Sequence, residues 1–442
     1  MADSRPRQAG SKHLEPDRSV YEMLIGEEDA RVCKDVPDAA CKHLPRNFLI
    51  HVIALSATKT GDHLGSAKLV LVWVLGAVGA PAFMAGLTVP IRESLALIPQ
   101  LFVAAWIRSH AIRKWFWVGG SAVQGACMVA MAGVALMLQG ATAGWALLGL
   151  LVIFSLARGV CSVAIKDVQG KTVSRRTRGK ASGYASSAAG GAALVIGASG
   201  LLSGGEHLGY LAALLLGAGG LWLGAALAYG LVIEERGQTA GGGNAGQEAF
   251  RQLGLLRSDA QFRQFVITRA LFLSTAFAAP FMVVTARETG GTDFRDLGGL
   301  LLAVGAANLL GGPVWGHQSD ISSRRVLIRA GWIAGAACVG LFAAVHIGWQ
   351  HSLLFAGFYF VLALAHSGVR LGRSTYLIDM ATQESRAAYT AVSNTLIGLL
   401  LLAGGSLSLL EPWLGASGMV LMFGTGSIIA SIVAVRLPEI ED

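Results

Sequence analysis

Apolar segments of about 20 residues alternate with short polar breaks along most of the chain. A helix that spans a bilayer needs roughly 20 apolar residues, because each residue advances it by about 1.5 Å. The pattern predicts twelve membrane-spanning helices, at 47–75, 83–107, 115–138, 144–166, 181–203, 208–232, 264–288, 295–317, 326–347, 351–374, 387–410 and 414–436. Gly61 and Gly65 interrupt the first segment, so we expect one long helix with a break there.

The composition agrees with this pattern. Only 14% of the 442 residues are charged, the mean hydropathy is +0.56, and soluble domains carry about 25% charged residues. Several aqueous domains would leave too many apolar side chains without a core. The sequence therefore predicts an all-α membrane protein. The net charge of +8 is then explained by cytoplasmic loops, and we expect no nucleic-acid partner.

Positive charges are sorted between alternate loops. Most of the 35 Lys and Arg residues lie in loops on one side, which the positive-inside rule places in the cytoplasm, whereas the opposite loops hold Arg287 and Arg295. Twelve crossings then put both termini in the cytoplasm. Residues 1–46 contain no apolar core of a cleavable signal. Together with the richness in Ala, Gly and Leu, these features favour a multi-pass protein of a bacterial inner membrane.

One long polar segment divides the predicted helices six and six. The resulting organisation is a cytoplasmic tail, a six-helix bundle, a cytoplasmic linker, a second six-helix bundle and a short tail, at 1–46, 47–232, 233–263, 264–436 and 437–442. Duplicated six-helix halves are a common architecture of secondary transporters.

The loop between predicted helices 8 and 9 carries a recognisable motif. In GHQSDISSRR at 316–325, the spaced residues are Gly316, Asp320, Arg324 and Arg325. We interpret it as a tight turn at the glycine, with the Asp and the Arg pair bridging helix ends across the cytoplasmic mouth as a gate. The alternative is an ordinary positively charged loop.

The equivalent loop after helix 2 keeps Arg113 and Lys114, but Ala104 and Arg108 replace the glycine and the aspartate. Two such loops, at corresponding places in the two six-helix halves, resemble the loop motif of the major facilitator superfamily. This resemblance implies twelve helices in two pseudo-symmetric six-helix bundles, the MFS fold. It also implies alternating access to a central cavity lined by helices 1, 4, 7 and 10.

Four ionisable residues lie near the centre of predicted helices: Asp62, Arg92, Glu93 and Arg158. Each costs at least about 2.5–3.5 kcal/mol in the middle of a bilayer, so each is a candidate functional residue. Arg92 and Glu93 are about 100° apart on their helix and need separate partners. Arg269 and Arg370 are expected near helix ends, where long side chains reach water, and carry less weight.

Asp62 and Glu93 are the candidate proton carriers, because changing exposure shifts the proton affinity of a buried carboxyl group. Arg158, in SLARGVCS, resembles the helix 4 arginine of proton-coupled family members, which implies that it modulates a carboxylate or binds an anionic substrate. The expected substrate-cavity residues are Lys59, His63, Arg92 and Arg158. A structural ion pair between Lys59 and Asp62 is the alternative.

Other patterns have simpler explanations. Gly220 and Gly224 form a GxxxG that indicates close helix packing. Cys33 and Cys41 are interpreted as reduced cytoplasmic thiols, because they lack the close spacing of metal ligands. A metal site with His43 is the alternative. We therefore expect no metal and no cofactor.

The sequence predicts a proton-coupled secondary transporter of a small organic molecule. The alternatives are a facilitative uniporter or nutrient importer without proton coupling, and a non-transporting membrane scaffold. An enzyme is not expected, because HExxH, GxSxG and phosphate-loop motifs are lacking. The expected partners are a small substrate, protons and the lipid bilayer, and the protein is expected to be a monomer.

Overall fold

Helices form all the regular structure in the part of the chain that the structure describes. This computed structural model describes residues 16–25, 42–98, 100, 103, 106, 107, 109–202, 208–237, 254–290, 294–349, 351–381 and 386–440. Nine helical stretches within these ranges are long and apolar enough to cross a membrane. The predicted all-helical membrane architecture is confirmed for these ranges.

Helices α1 to α8 make up the first part of the chain, and we call α2 to α8 the first half. Their bounds are α1 Pro16–Ile25, α2 Leu44–Leu64, α3 Val70–Ala77, α4 Phe83–Leu97, α5 Lys114–Met137, α6 Gly140–Thr172, α7 Arg175–Leu202 and α8 Leu208–Gly230.

The short helix α9 Leu255–Ser258 precedes α10 to α16, which we call the second half. Their bounds are α10 Ala260–Leu271, α11 Ser274–Gly290, α12 Phe294–Ile321, α13 Ser323–His346, α14 Ser352–Met380, α15 Arg386–Gly404, the 3₁₀ helix Gly405–Leu410, and α16 Glu411–Ala434. We call the end of the molecule at which α8 ends and α10 begins the linker end, and the opposite end the far end.

The first predicted helix is broken, as expected. Helix α2 ends at Leu64, the backbone is non-helical through Leu69, and α3 begins at Val70. A second break, at Phe272 and Leu273, separates α10 from α11 and was not predicted. Both breaks lie beside the cavity described below, where protein groups replace the lost helical hydrogen bonds.

The N-terminal segment contains a packed helix. Tyr21 of α1 meets Phe48 of α2 edge to face at 5.2 Å between ring centroids. Two side chains of α7 bond the C-terminal carbonyls of α1: Lys180 Nζ donates to Ile25 O at 2.8 Å and Tyr184 Oη to Leu24 O at 2.6 Å. Helix α1 therefore covers the linker ends of α2 and α7. Cys33 and Cys41 lie outside the described residues.

Close packing between α5 and α8 depends on Gly125 and Gly219. A Cβ on Gly219 would lie 2.7 Å from Val129 Cγ2 and 3.0 Å from Gly125 O. Gly220 and Gly224 have no neighbouring atom within 4 Å of such a Cβ. The GxxxG interpretation was therefore wrong: the glycine one position earlier faces the partner helix, and Gly220 points away.

Gly219→Val is expected to lower the free energy of unfolding by about 1–3 kcal/mol, because overpacking a tight contact forces backbone movement. Gly220→Val is the matched control, since it adds the same side chain one position away in open space. Thermal unfolding in detergent measures both. Equal losses in the two variants would contradict the packing.

Asp259 fixes the start of α10 at the linker end. Its carboxylate accepts from Phe262 N at 2.9 Å and from the hydroxyl of Tyr389 on α15. Burial raises the pKa of Asp259, but the hydrogen bonds from Tyr389 and Phe262 outweigh burial and hold the pKa below its ordinary value. The carboxylate therefore stabilises the fold most when it is ionised.

Asp259→Ala is expected to cost about 1 kcal/mol at pH 7, a typical value for an N-cap. Because the folded-state pKa is depressed, this contribution is complete above the unfolded-state pKa and disappears as pH falls through the folded-state pKa. Thermal unfolding at pH 7 and pH 3 should therefore show a smaller difference between wild type and variant in acid. Tyr389→Phe should reduce the same acid sensitivity, and a difference that is constant with pH would contradict the assignment.

The two halves touch at the far end and separate toward the linker end. A Cβ on Gly298 of α12 would lie 2.5 Å from Leu201 N of α7, and one on Gly86 of α4 would lie 2.5 Å from Cβ of Ser408 in the 3₁₀ helix. Nearer the linker end, Cβ atoms on Gly183 and Gly312 would have no neighbour within 4 Å. The space between the halves thus opens toward the linker end.

Candidate functional site

A cavity of about 260 Å³ lies between the two halves, beside both helix breaks. The first half contributes Asp62, Lys68, Arg92, Glu93 and Arg158, and the second half contributes Thr275, Asn308, Tyr359, His366 and Arg370. The second-half wall also includes apolar side chains, Ala276, Ala279 and Val304 among them. The cavity therefore joins a strongly charged wall to a wall of mixed polar and apolar side chains.

Two arginines share the carboxylate of Asp62. Arg92 Nη2 lies 2.9 Å from Asp62 Oδ1, and Arg158 Nη1 lies 2.6 Å from Asp62 Oδ2. Each guanidinium also lies over an aromatic ring, Arg92 over Phe154 at 5.0 Å and Arg158 over Trp222 at 5.6 Å. Three helices, α2, α4 and α6, thus meet at one charged cluster with a single positive charge in excess.

Lys68 connects the halves from the break between α2 and α3. Its Nζ lies 3.5 Å from Glu93 Oε1 and 3.3 Å from His366 Nε2. The hydroxyl of Tyr359 on α14 donates to Lys68 O at 3.4 Å. A cation from the first half is therefore held between a carboxylate of its own half and an imidazole of the other.

The hydrogen bonds around His366 determine its tautomer. Thr275 Oγ1 donates to Phe272 O at 2.8 Å, so the same hydroxyl accepts at 2.9 Å from Nδ1–H of His366. Nε2 of the neutral ring is then the acceptor for the ammonium group of Lys68. Protonation of Nε2 would replace this hydrogen bond by repulsion between two cations.

Of the predicted cavity residues, His63, Arg92 and Arg158 line the cavity, and so do the predicted proton carriers Asp62 and Glu93. Arg92 and Glu93 have separate partners, as expected.

Lys59 lies elsewhere, because its Nζ donates to Ser182 O at 3.0 Å and to Ser186 Oγ at 2.5 Å on α7. The alternative of a structural Lys59–Asp62 ion pair was therefore wrong, since both side chains have other partners.

Sequence reasoning missed Lys68, His366 and Arg370. Arg370 was expected near a helix end, but α14 continues to Met380, about 15 Å farther along the axis. This extra length places Arg370 inside the cavity instead. Arg269 bonds Ser393 Oγ at 2.5 Å and Asn394 Oδ1 at 2.9 Å within the second half.

Comparison with known proteins identifies the fold. No family model and no curated protein matches the chain. Solved structures do match: a POT family transporter in complex with 5-aminolevulinic acid has a TM-score of 0.65 at 12% identity, covering 88% of this chain and 95% of that one. A D-xylose-proton symporter has a TM-score of 0.65 at 15% identity, covering 89% and 98%. A mutant of the nucleoside transporter NupG has a TM-score of 0.67 at 12% identity, covering 88% and 99%.

The chain has the major facilitator fold. The structural neighbours are transporters of small molecules rather than enzymes, and the described helices are those of a multi-pass membrane protein. Within this fold, the charged cluster lies on the first-half wall of a cavity to which each half contributes one wall.

The loop that precedes α5 is anchored inside the first half. Arg113 Nη1 pairs with Asp167 Oδ2 of α6 at 2.9 Å. Lys114 Nζ donates to Gly230 O at 2.8 Å. The buried carboxylate of Glu234 accepts from Arg113 N and Lys114 N at 2.8 and 2.7 Å and pairs with Lys171 at 2.7 Å.

The second loop is anchored inside the second half. Arg324 Nε lies 2.9 Å from Glu439 Oε2, and Arg325 Nε lies 4.0 Å from Glu439 Oε1. Gly316 is inside α12, so the predicted tight turn there was wrong. The turn lies at Ser322, whose side chain accepts from Arg325 N. The side chain of Asp320 lies outside the described set.

The predicted gate across the mouth stays a prediction, because the side chain of Asp320 is outside the described set and the halves are apart at this end. In this conformation, with the halves apart at the linker end, Arg113, Arg324 and Arg325 join helix ends within one half.

Proposed function

We propose that this chain is a proton-coupled secondary active transporter that moves a small organic molecule by alternating access. The observation that carries the proposal is the charged cavity between halves that touch at the far end and separate at the linker end. We infer twelve spanning helices in two six-helix bundles, 47–232 and 264–436, with the cytoplasmic linker at 233–263. Both termini and the linker end would then face the cytoplasm of a bacterial inner membrane.

Asp62 is the proposed centre of proton coupling. Its ion pairs with Arg92 and Arg158 tie α2 to α4 and α6. A proton on Asp62 would remove the negative charge from this cluster and leave two arginines for a substrate or for a different helix arrangement. Glu93 would act similarly through Lys68, the residue that reaches the other half.

A facilitative transporter without proton coupling is the second candidate. Both cavity carboxylates are ion-paired, Asp62 with two arginines and Glu93 with Lys68. Carboxylates held in such ion pairs would position the arginines and Lys68 for a substrate without carrying protons. Flux that ignores an imposed pH gradient would select this candidate.

Thermal unfolding in detergent against anionic, zwitterionic and lipophilic cationic compounds provides the first test. A ligand at 100 times its dissociation constant stabilises the native state by about 2.7 kcal/mol. We expect one chemical class to stabilise the wild type and to lose this effect in Arg158→Ala. Flux of that compound into liposomes, with and without a pH gradient, then separates the two candidates, and absence of any flux would contradict transport.

A further inference from the structure

We propose that the transported molecule is a small organic anion whose carboxylate or phosphate group binds at Lys68 and Arg370, between the two halves. This inference rests on the proposed transport function and concerns the same cavity. Four observations carry it: the charge balance of the wall, the position of Arg370, the hydrogen bonding of Lys68, and the size of the cavity.

The cavity wall has an excess of positive charge. It carries four cationic side chains, Lys68, Arg92, Arg158 and Arg370, against the two carboxylates of Asp62 and Glu93. Arg373, three residues after Arg370 on α14, adds a further positive charge that acts on Glu93. An uncompensated positive field in a low-dielectric cleft attracts and retains anions. A cationic substrate would meet repulsion at the same place.

Arg370 has the geometry of a ligand-binding residue. It is an exposed side chain on α14 that lines the cavity. No ion pair or hydrogen bond to another described residue occupies its guanidinium, although it acts electrostatically on Lys68 and Glu93. The five N–H donors of a guanidinium match a carboxylate or phosphate with two parallel hydrogen bonds.

Lys68 supplies the second contact. Its neighbours Glu93 and His366 lie at 3.5 and 3.3 Å, longer than the about 2.7–2.9 Å of a strong charged hydrogen bond. The ammonium group therefore has capacity for a third, shorter interaction with an anion from the cavity. Because Lys68 and Arg370 belong to different halves, one bound anion would connect them.

The size of the cavity and the apolar part of its second-half wall restrict the remainder of the substrate. The cavity of about 260 Å³ is below the roughly 300–1,000 Å³ of pockets for drug-sized ligands. Ala276, Ala279 and Val304 offer a short apolar surface beside the charged wall. A metabolite-sized anion with a short aliphatic body fits these dimensions.

The sign of the field can be measured without knowing the substrate. Ser367 lines the cavity near Arg370, and Ser367→Cys introduces a near-isosteric thiol there. Cys33 and Cys41 are replaced by serine, while Cys127, Cys161 and Cys338 are buried and stay. The reaction rates of size-matched anionic and cationic methanethiosulfonates are then compared, with 2-mercaptoethanol in the same buffer as reference.

We expect the ratio of anionic to cationic rates at this thiol to exceed the reference ratio at least about tenfold. Arg370→Gln should lower the ratio about threefold or more, whereas Arg370→Lys should retain it. Arg329→Gln is the matched control, because Arg329 bonds Gln318 on the exposed surface outside the cavity. A ratio equal to or below the reference would overturn the proposal.

Protection of the same thiol identifies the ligand charge. Butyrate, butyramide and butylamine have the same carbon skeleton, and only butyrate should slow labelling at pH 7. Protection by butylamine or butyramide without protection by butyrate would overturn the anion inference and leave the transport proposal standing. An anion that binds in the cavity but is never moved across a membrane would contradict transport and leave the anion site standing.

Discussion

Asp62→Asn is expected to abolish pH-driven accumulation while exchange across the membrane continues. A gradient of two pH units is worth about 2.7 kcal/mol per proton, since one unit corresponds to about 1.36 kcal/mol. A one-proton symporter therefore accumulates substrate on the order of 100-fold. Asparagine keeps a hydrogen-bond acceptor toward Arg92 and Arg158 but cannot ionise. Accumulation should fall to the equilibrium ratio of about one.

The control for this experiment is Glu288→Gln. Glu288 lies in a separate cavity at the far end, with Arg287 and Val284 among its neighbours. Both variants remove one carboxylate from the membrane region, so a general effect of charge would appear in both. Radiolabelled substrate uptake into liposomes, with and without the gradient, measures accumulation, and counterflow measures exchange. Full accumulation by Asp62→Asn would remove this residue from the coupling mechanism.

Neutralising both members of the Lys68–Glu93 pair is expected to leave transport at least 100-fold below wild type. Each single variant, Lys68→Met or Glu93→Gln, leaves one charge without its partner at 3.5 Å and should be both unstable and inactive. The double variant has no unpaired charge at this place and should recover stability. It should stay inactive, because Lys68 also reaches His366 of the second half and is the proposed contact for the substrate.

Thermal unfolding and uptake of the four proteins complete a double-mutant cycle. The cycle separates a structural role from a functional one. If the pair only holds α4 beside the helix break, the double variant would regain both stability and flux. We expect a stability coupling of about 0.5–3 kcal/mol together with no recovery of flux. Recovery of both stability and flux in the double variant would show that Lys68 has only a structural role.

The sequence predicted the fold class because the signal is long and repeated. A segment of about 20 apolar residues crosses a bilayer as a helix, because the helix satisfies the hydrogen bonds of its own backbone N–H and C=O groups. The break at Gly65 was predictable from glycines beside Asp62 and His63. The break at Phe272 was not, because no glycine or proline marks it in the sequence.

The residues of the candidate site were predictable only where a charged side chain interrupts an apolar segment of a single helix. Asp62 and Arg158 are charges within apolar segments, and such charges are rare enough to identify from the sequence alone. Their pairing through space, and the contact of Lys68 with His366, depend on how separate helices meet. Arg370 was placed incorrectly because helix ends are the least certain part of a sequence-based prediction. Likewise, only the rotation of α8 about its own axis shows that Gly219, and not Gly220, faces α5.

A measurement of proton movement during substrate entry tests proton-coupled transport most directly. The compound that most stabilises the purified protein is added to liposomes containing it, with a pH-sensitive dye inside and no initial pH gradient. We predict that the internal pH changes as the compound enters, and that Asp62→Asn admits the compound without this change. Entry of the compound into wild-type liposomes at constant internal pH would contradict proton coupling and select the facilitative transporter.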